Sequence, residues 1–276
     1  MSYRNAIYIV GGMTQSGSTK LYASLLYYLQ KYKNPNTLGF HDSELTWSPL
    51  DTEHKIKWSK QDSDSVKWRK EQEIKLTKIT KYLNTAPIVI KCHDWMEGSK
   101  FAVLLQRVEN VKYVFVRCVR DIRDAVCSRL RKTKTNDDIE RIVKTQNDLY
   151  HKWTSELITK NLEMVKKHRN WNDFVCYYYS VRYEDYTNND ILFAKKICEI
   201  ANLPCEPEVE EKDSIYEEIV KFFNNLMINK SGYLMTDKHV TNGGKVGGYK
   251  DYLTSEDLSM INKTCENLLT EERYEF

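Results

Sequence analysis

The sequence predicts one α/β domain over residues 1–276, with a central, mostly parallel sheet flanked by helices. Short apolar runs alternate along the chain with longer segments of helical periodicity, which is the pattern of parallel strands joined by helical crossovers. Most of these runs are continuous, as expected for strands that are covered on both faces. A chain of 276 residues that is 41% hydrophobic is also long enough to bury one substantial core.

The apolar runs predict four strands, at residues 6–10, 87–91, 112–117 and 174–181. The helical patterns predict seven helices, at residues 18–32, 65–84, 121–132, 138–168, 189–201, 213–228 and 255–269. In a sheet of this kind, ligands bind beyond the carboxyl ends of the strands. Gly11, His93 and Arg120 each lie just beyond a predicted strand, so we expect them to meet at one edge of the sheet.

The turn after the first strand, at residues 11–20, contains three glycines and four hydroxyl side chains. A turn of this composition before a helix points main-chain N–H groups and the positive end of the helix dipole at a bound anion. It therefore predicts a phosphate loop and a P-loop-like, three-layer fold. The spacing from Gly12 to Gly17 fits the ATP-binding Walker A pattern, but Ser18 stands where that pattern requires lysine.

A second anion-binding element is predicted at the start of the helix at residues 121–132. Arg120 precedes this helix, Asp121 is placed to cap it, and Ser128 lies two turns into it. An arginine fork and a hydroxyl at these positions could close on one phosphate. Two separate phosphate sites suggest a nucleotide that is phosphorylated at both ends.

These segments resemble the cytosolic-type sulfotransferases, which transfer a sulfuryl group from 3′-phosphoadenosine 5′-phosphosulfate (PAPS) and release 3′-phosphoadenosine 5′-phosphate (PAP). Five segments match in the family's order and span nearly the whole chain. They are residues 14–19, the strand end with Lys91 and His93, the pair of Arg120 and Ser128, residues 183–185, and residues 247–254.

The resemblance implies a role for each matching residue. His93 would be the general base, while Lys91 and Gln15 would act at the leaving phosphate. The donor nucleotide would be bound by Gln15, Ser16, Gly17, Ser18, Thr19, Lys20, Arg120, Ser128, Tyr183, Asn242, Gly243, Gly244 and Lys245. The transfer would be in line, to a hydroxyl or an amine, and would require no metal ion.

Three positions depart from the family's pattern. Gln15 stands where the family has lysine or arginine, so a neutral amide replaces a cation. Lys20 replaces a tryptophan that helps to hold the adenine. Residues 242–244 align with the Arg-Lys-Gly that grips the 3′-phosphate, which leaves Lys245 as the nearest cation. Glycine N–H groups could still form an anion-binding nest there.

The acceptor is predicted from loops near the proposed site. Aromatic rings and carboxylates there suit a cationic ligand. The candidate acceptor residues are Glu44, Trp47, Asp94 and Trp95. The hypothesis is a small, positively charged acceptor, such as a guanidinium-bearing natural product.

Composition argues against several other classes of partner. The net charge is only +3, so no bulk electrostatic field recruits nucleic acid or a membrane surface. No apolar run approaches the roughly 20 residues of a membrane span, and no apolar signal segment precedes the first strand. Seven cysteines without a C-x-x-C pair predict reduced thiols. We therefore expect a cytoplasmic protein; the oligomeric state is not predicted.

Two alternatives remain open at this stage. A pseudoenzyme that binds PAP or PAPS but turns over slowly is favoured by Gln15, because a cation is missing at the leaving oxygen. A P-loop kinase is less favoured, because it needs ATP, Mg²⁺ and the lysine that Ser18 replaces.

Overall fold

The computed structural model describes residues 5–41, 77, 80–93, 110–133, 138–160, 163, 175–187, 189–203, 218–219, 221–222 and 245–275. Its strands are β1 (Ala6–Gly12), β2 (Leu38–His41), β3 (Ile88–Lys91), β4 (Lys112–Val119) and β5 (Val175–Arg182). Its helices are α1 (Ser18–Tyr32), α2 (Ile122–Thr133), α3 (Ile139–Lys152), α4 (Tyr183–Thr187), α5 (Asp190–Ala201), α6 (Ser255–Thr264) and α7 (Glu266–Glu271). A 3₁₀ turn at Gly248–Asp251 precedes α6.

The five strands form one sheet in the order β2-β3-β1-β4-β5, and every described pair is parallel. The predicted parallel sheet is thereby confirmed. β1 is the central strand: Val10 lies beside Lys91 of β3, and Gly11 lies beside Arg117 of β4. This register brings the carboxyl ends of three strands, and the residues that follow them, to one edge of the sheet.

Helices cover both faces of the sheet, which confirms the three-layer prediction. On one face, Tyr8 and Val10 of β1 pack in a buried cluster with residues of α1 and α5. The alternate residues Ile7 and Ile9 are also fully buried, because α3 contacts β1 on the other face. A second buried cluster joins α2, α3, α6 and α7. None of the helices in the described ranges is long and apolar enough to cross a bilayer.

The helices next to the predicted phosphate sites begin where the sequence places them. α1 has the predicted bounds, 18–32, and α2 begins at Ile122. Asp121 caps α2 as predicted, because its Oδ1 accepts a 2.9 Å hydrogen bond from the main-chain N–H of Arg123. A capping carboxylate at this position fixes the first turn of α2, and with it the direction of the chain at Arg120.

The prediction of one continuous helix at 138–168 is wrong, because α3 ends at Lys152. The main-chain N–H of Trp153 bonds to the carbonyl of Tyr150, at 3.0 Å, rather than continuing the α-helical pattern. The hydroxyl of Thr154 then accepts from the N–H of Leu157, at 3.4 Å, and starts a separate helical segment at 155–160. The helical pattern is therefore interrupted at residues 153–154, between the last turn of α3 and the segment capped by the Thr154 side chain.

Smaller differences from the prediction occur in several other elements. The predicted helix at 255–269 is two helices, because Cys265 adopts a φ of −115° between α6 and α7. β2 and the short α4 were not predicted. Most of the predicted helices at 65–84 and 213–228 lies outside the described residues; within them, residues 77, 80–83, 218–219 and 221–222 are helical.

The prediction of reduced thiols is wrong for Cys198, which is disulfide-bonded. A disulfide depends on two cysteine Cβ atoms lying a few ångströms apart in the fold, and the absence of a C-x-x-C pair does not exclude that. Among the described residues, Cys92, Cys118, Cys127, Cys176 and Cys265 form no disulfide.

Candidate active site

The turn between β1 and α1 approaches neighbouring main chain very closely. Gly12 has a φ of +133°, and a Cβ there would lie 2.3 Å from the carbonyl oxygen of Cys118. Gly17, which caps α1, has a φ of +88°, and Gln15 adopts a φ of +63°. The thiol of Cys118 donates to the carbonyl of Ser16 at 2.8 Å. Glycine is therefore required at residue 12, and the positive φ at residue 17 favours glycine there as well.

The turn offers anion-binding groups at the start of α1. The first N–H groups of a helix have no carbonyl one turn back, so those of Ser18 and Thr19 suit an anion. The N–H of Ser16, also expected as a donor, instead bonds to the carbonyl of Met13 at 3.3 Å. The Ser16 side chain is fully buried, and its Oγ has no hydrogen-bond partner within the described structure. A buried hydroxyl of this kind fits a ligand that carries acceptor oxygens.

His93 follows β3 and reaches back to the turn. Its Nδ1 lies 3.1 Å from the carbonyl oxygen of Gly12. Because a carbonyl can only accept, Nδ1 carries a proton, and in the neutral ring the lone pair falls on Nε2. Lys91, two residues earlier, is buried at the carboxyl end of β3. The structure therefore places both predicted residues of this strand end beside the turn.

Trp153 is a site residue that the sequence analysis missed. It is fully buried, and its Nε1 donates to the main-chain carbonyl of His93 at 2.7 Å. Its ring leaves no space for a side chain at residue 11: a Cβ on Gly11 would lie 2.0 Å from Cζ2 of Trp153 and 1.9 Å from the carbonyl oxygen of Cys92. The hydroxyl of Tyr178 donates to the carbonyl of Trp153 at 2.8 Å.

Arg120 lies on the other side of the turn. Its Nη1 donates to the carbonyl of Gln15 at 2.9 Å, and its Nη2 lies 3.4 Å from the carbonyl oxygen of Lys245. Its guanidinium also stacks on the ring of Tyr183, with Cζ 4.4 Å from the ring centroid. The Oγ of Ser128 lies 3.5 Å from Oε1 of Gln15. Five residues that are far apart in the sequence therefore meet here, as the pattern predicts.

Three carboxylates support this side of the site. Asp121 forms an ion pair with Arg123, at 2.7 Å. Asp124 accepts from the main-chain N–H groups of Gly247, at 2.8 Å, and Tyr249, at 3.0 Å, which holds residues 247–249 against α2. Burial raises the pKa of Asp124, and the two N–H donors oppose that rise. The third carboxylate, Glu184, accepts from the main-chain N–H of Asp121 at 2.9 Å.

Arg117 at the end of β4 belongs to a charged cluster behind the site. Its Nη2 lies 3.0 Å from Oε1 of Glu272, and its guanidinium stacks on Tyr150 at 4.0 Å from the ring centroid. Its Nη1 lies 3.5 Å from the hydroxyl of Tyr178. Glu272 is also 3.8 Å from Arg182 of β5. No local sequence pattern predicts this cluster, because Glu272 lies far from Arg117 along the chain.

The other predicted residues divide into two groups. Lys20 is described, and its Nζ lies 5.4 Å from the centroid of the Phe193 ring on α5. Seven predicted site residues lie outside the described residues: Glu44, Trp47, Asp94, Trp95, Asn242, Gly243 and Gly244. Within the described ranges, no group of His, Cys, Asp and Glu side chains is arranged to hold a metal ion.

The chain is similar in fold to several solved structures. Retinol dehydratase in complex with retinol and PAP is 14% identical over 98% of this chain and 82% of that protein, with a TM-score of 0.47. The sulfotransferase domain of the Synechococcus PCC 7002 olefin synthase is 10% identical over 95% and 94% of the two chains, with a TM-score of 0.49. A mouse sulfotransferase in complex with PAP is 12% identical over 97% and 84%, with a TM-score of 0.45.

No curated protein matches the chain in sequence. The model of the sulfotransferase domain family matches residues 7–273, from β1 to the residues just after α7. This match includes every element that forms the site at the carboxyl edge of the sheet. The chain therefore belongs to the sulfotransferase domain family.

Proposed function

We propose that the protein transfers a sulfuryl group from PAPS to a hydroxyl or amine of a small-molecule acceptor, with His93 as the general base. One observation carries this proposal. The turn between β1 and α1 is hydrogen-bonded to His93 through the carbonyl of Gly12 and to Arg120 through the carbonyl of Gln15. The turn thus stands between a base and an arginine, as transfer from a nucleotide with two phosphate groups requires.

The residues of the turn fit the sulfonated end of this donor. Ser16 supplies a buried hydroxyl, and the start of α1 supplies N–H groups and the positive end of a helix dipole. Arg120, Ser128 and Lys245 would hold the 3′-phosphate. Fork geometry allows an arginine to bind two oxygens of one phosphate at once.

His93 would remove the acceptor's proton as its oxygen or nitrogen attacks sulfur. The bond from Nδ1 to Gly12 fixes the tautomer in which Nε2 can accept that proton. Negative charge then develops on the phosphate that leaves. Lys91, buried beside the turn, would stabilise it, because a positioned cation in a water-poor site opposes developing charge strongly.

Gln15 favours a second candidate, a PAP-binding or PAPS-binding pseudoenzyme. A neutral amide cannot supply the charge that the family's lysine or arginine supplies, so affinity would persist while turnover falls.

The acceptor is proposed to be a small cation bound by Glu44, Trp47, Asp94 and Trp95. Single D94N and E44Q variants should then raise the KM of a cationic acceptor and leave that of a neutral acceptor unchanged.

Three measurements test the proposed function. Calorimetry should detect binding of PAP, and not of ATP with Mg²⁺; the reverse result would indicate a kinase. Turnover of ³⁵S-labelled PAPS is then measured against a panel of neutral and cationic hydroxyl and amine acceptors. In H93A, kcat should fall by about 10²-fold or more while PAP affinity persists. PAP binding without turnover on any acceptor would favour the pseudoenzyme.

A further inference from the structure

Four groups at the edge of the sheet form a closed ring of contacts. The indole of Trp153 donates to the carbonyl of His93. The imidazole of His93 donates to the carbonyl of Gly12. Gly12 follows Gly11, and the indole of Trp153 occupies the space that a side chain at residue 11 would need. The ring of contacts therefore joins the end of α3, the end of β3 and the start of the turn.

α3 contacts the turn at a second point. The amide of Gln146 donates to the hydroxyl of Thr14 at 2.6 Å and lies 3.1 Å from the Thr14 carbonyl. Gln146 lies in α3, and Trp153 caps its C-terminal end seven residues later, about two helical turns on, so both lie on the same side of the helix axis. α3 and its capping residue Trp153 thus contact both the turn and the residue that carries the proposed base.

Residues of strands β4 and β5 fix the position of Trp153. Tyr178 of β5 donates to its carbonyl, and Arg117 of β4 lies 3.5 Å from the Tyr178 hydroxyl. The indole also packs edge-on against Phe115, with ring centroids 6.5 Å apart. Because every one of these partners belongs to a strand of the sheet, the indole has a fixed position relative to β1.

We propose that Trp153 is a positioning residue for the general base, and this inference rests on the proposed function. By holding the carbonyl of His93 and closing the space over Gly11, it sets the distance from the imidazole to the carbonyl of Gly12. That distance fixes the proton on Nδ1 and leaves Nε2 as the proton acceptor. A base held in this way needs no reorganisation before it takes the acceptor's proton.

The decisive variant is W153F, which keeps an aromatic ring but removes the N–H donor. The readout is the tautomer of His93 in the free enzyme, measured from the ¹⁵N shifts of its two ring nitrogens. The pH is set about two units above the usual imidazole pKa, so that the ring is neutral. The chain has six histidines, and the spectrum of H93Q assigns the relevant signal.

In the wild-type protein the His93 signal should be that of the Nδ1–H tautomer, and in W153F it should move towards a mixture of both tautomers. kcat should fall by about 10-fold to 100-fold, while PAP affinity changes little. Y8F is the matched control, because it removes a hydroxyl near the Ala201 carbonyl on the opposite face of the sheet. Its tautomer and kcat should match the wild type.

A wild-type tautomer in W153F would overturn the inference, whatever happens to activity. If W153F does not fold, Y178F decides: a partial shift of the His93 signal supports the inference, and an unchanged signal overturns it. The spectra need no nucleotide and no acceptor. A protein without sulfuryl transfer would therefore contradict the proposed function while leaving the positioning by Trp153 still measurable.

Discussion

The phenol of Tyr274 donates a 3.0 Å hydrogen bond to Oε2 of Glu184, whose other oxygen accepts from the main-chain N–H of Asp121. The residue before Asp121 is Arg120, the proposed ligand of the 3′-phosphate. A residue that follows α7 is therefore connected, through one carboxylate, to the start of α2. Tyr183, next to Glu184, stacks on the same arginine.

Removing that phenol should weaken binding at the 3′-phosphate. In Y274F we expect PAP to bind about 3-fold to 10-fold more weakly, since a hydrogen bond to a carboxylate contributes about 1.5–3 kcal/mol and only part of it reaches Arg120. Calorimetry with PAP measures the effect. Adenosine 5′-phosphosulfate, which lacks the 3′-phosphate, is the control ligand and should bind as before. Equal weakening of both ligands would contradict this role.

Glu184 should make stability depend on pH. Burial raises its pKa, although hydrogen bonds from the Asp121 N–H and the Tyr274 phenol oppose the rise. The folded state therefore holds the proton more tightly than the unfolded state, and ionising Glu184 costs stability as pH rises through the folded pKa. Relative to E184Q, the wild-type free energy of unfolding should increase as pH falls through that range. Urea titrations of both proteins at several pH values measure the difference in their free energies of unfolding. A difference that does not change with pH would show that burial does not raise the pKa of Glu184.

Gly12 and Gly247 provide a matched pair for backbone strain. Both have positive φ, but a Cβ on Gly247 would have no described atom within 4 Å, whereas one on Gly12 would lie 2.3 Å from the Cys118 carbonyl oxygen. G247A should lower the free energy of unfolding by about 1 kcal/mol, from backbone strain alone. G12A should cost several times more and abolish PAP binding. Thermal unfolding of the two variants distinguishes them, and equal losses would mean that strain, not overlap, dominates at Gly12.

A cation restored at residue 15 should accelerate the reaction. In Q15K we expect kcat to rise by about 10-fold, because a positive charge would oppose the charge on the leaving phosphate. Gln15 already has a φ of +63°, and lysine experiences the same backbone strain, so the main chain is not a confounding difference. Q15M, which is neutral, should not raise kcat. An unchanged or lower kcat in Q15K would indicate that Lys91 or Lys20 has taken over the missing charge.

The turn after β1 and the start of α2 could be predicted from the residues within those segments. The glycines and hydroxyl side chains of residues 11–20 require a tight turn before a helix, and Asp121 caps the helix after Arg120 as its side chain favours. Both features depend on residues within about one helical turn, so the sequence is sufficient to recognise them. The family resemblance then pointed to Arg120, Ser128, Tyr183 and Lys245, which lie around Gln15 and one another in the structure.

Long-range contacts explain what the sequence could not predict. The sequence predicted Trp153 inside one long helix, whereas α3 ends at Lys152 and the indole fills the space over Gly11. β2 is a four-residue strand that contains Gly39, whose missing side chain makes room for Tyr22 of α1. Its pairing with β3 depends on residues 88–91, far along the chain. Such contacts leave no periodic pattern in the local sequence.

The order of the strands also affects how the protein is made. β1 is the central strand, but its neighbours β3 and β4 begin only at residues 88 and 112. During translation, at about 5–20 residues per second, the main-chain N–H and C=O groups along both edges of β1 therefore stay unpaired for several seconds before any neighbour emerges. Unpaired strands of this kind aggregate readily. Slower induction at low temperature, or co-expression with a chaperone that shields nascent chains, should therefore increase the yield of soluble protein.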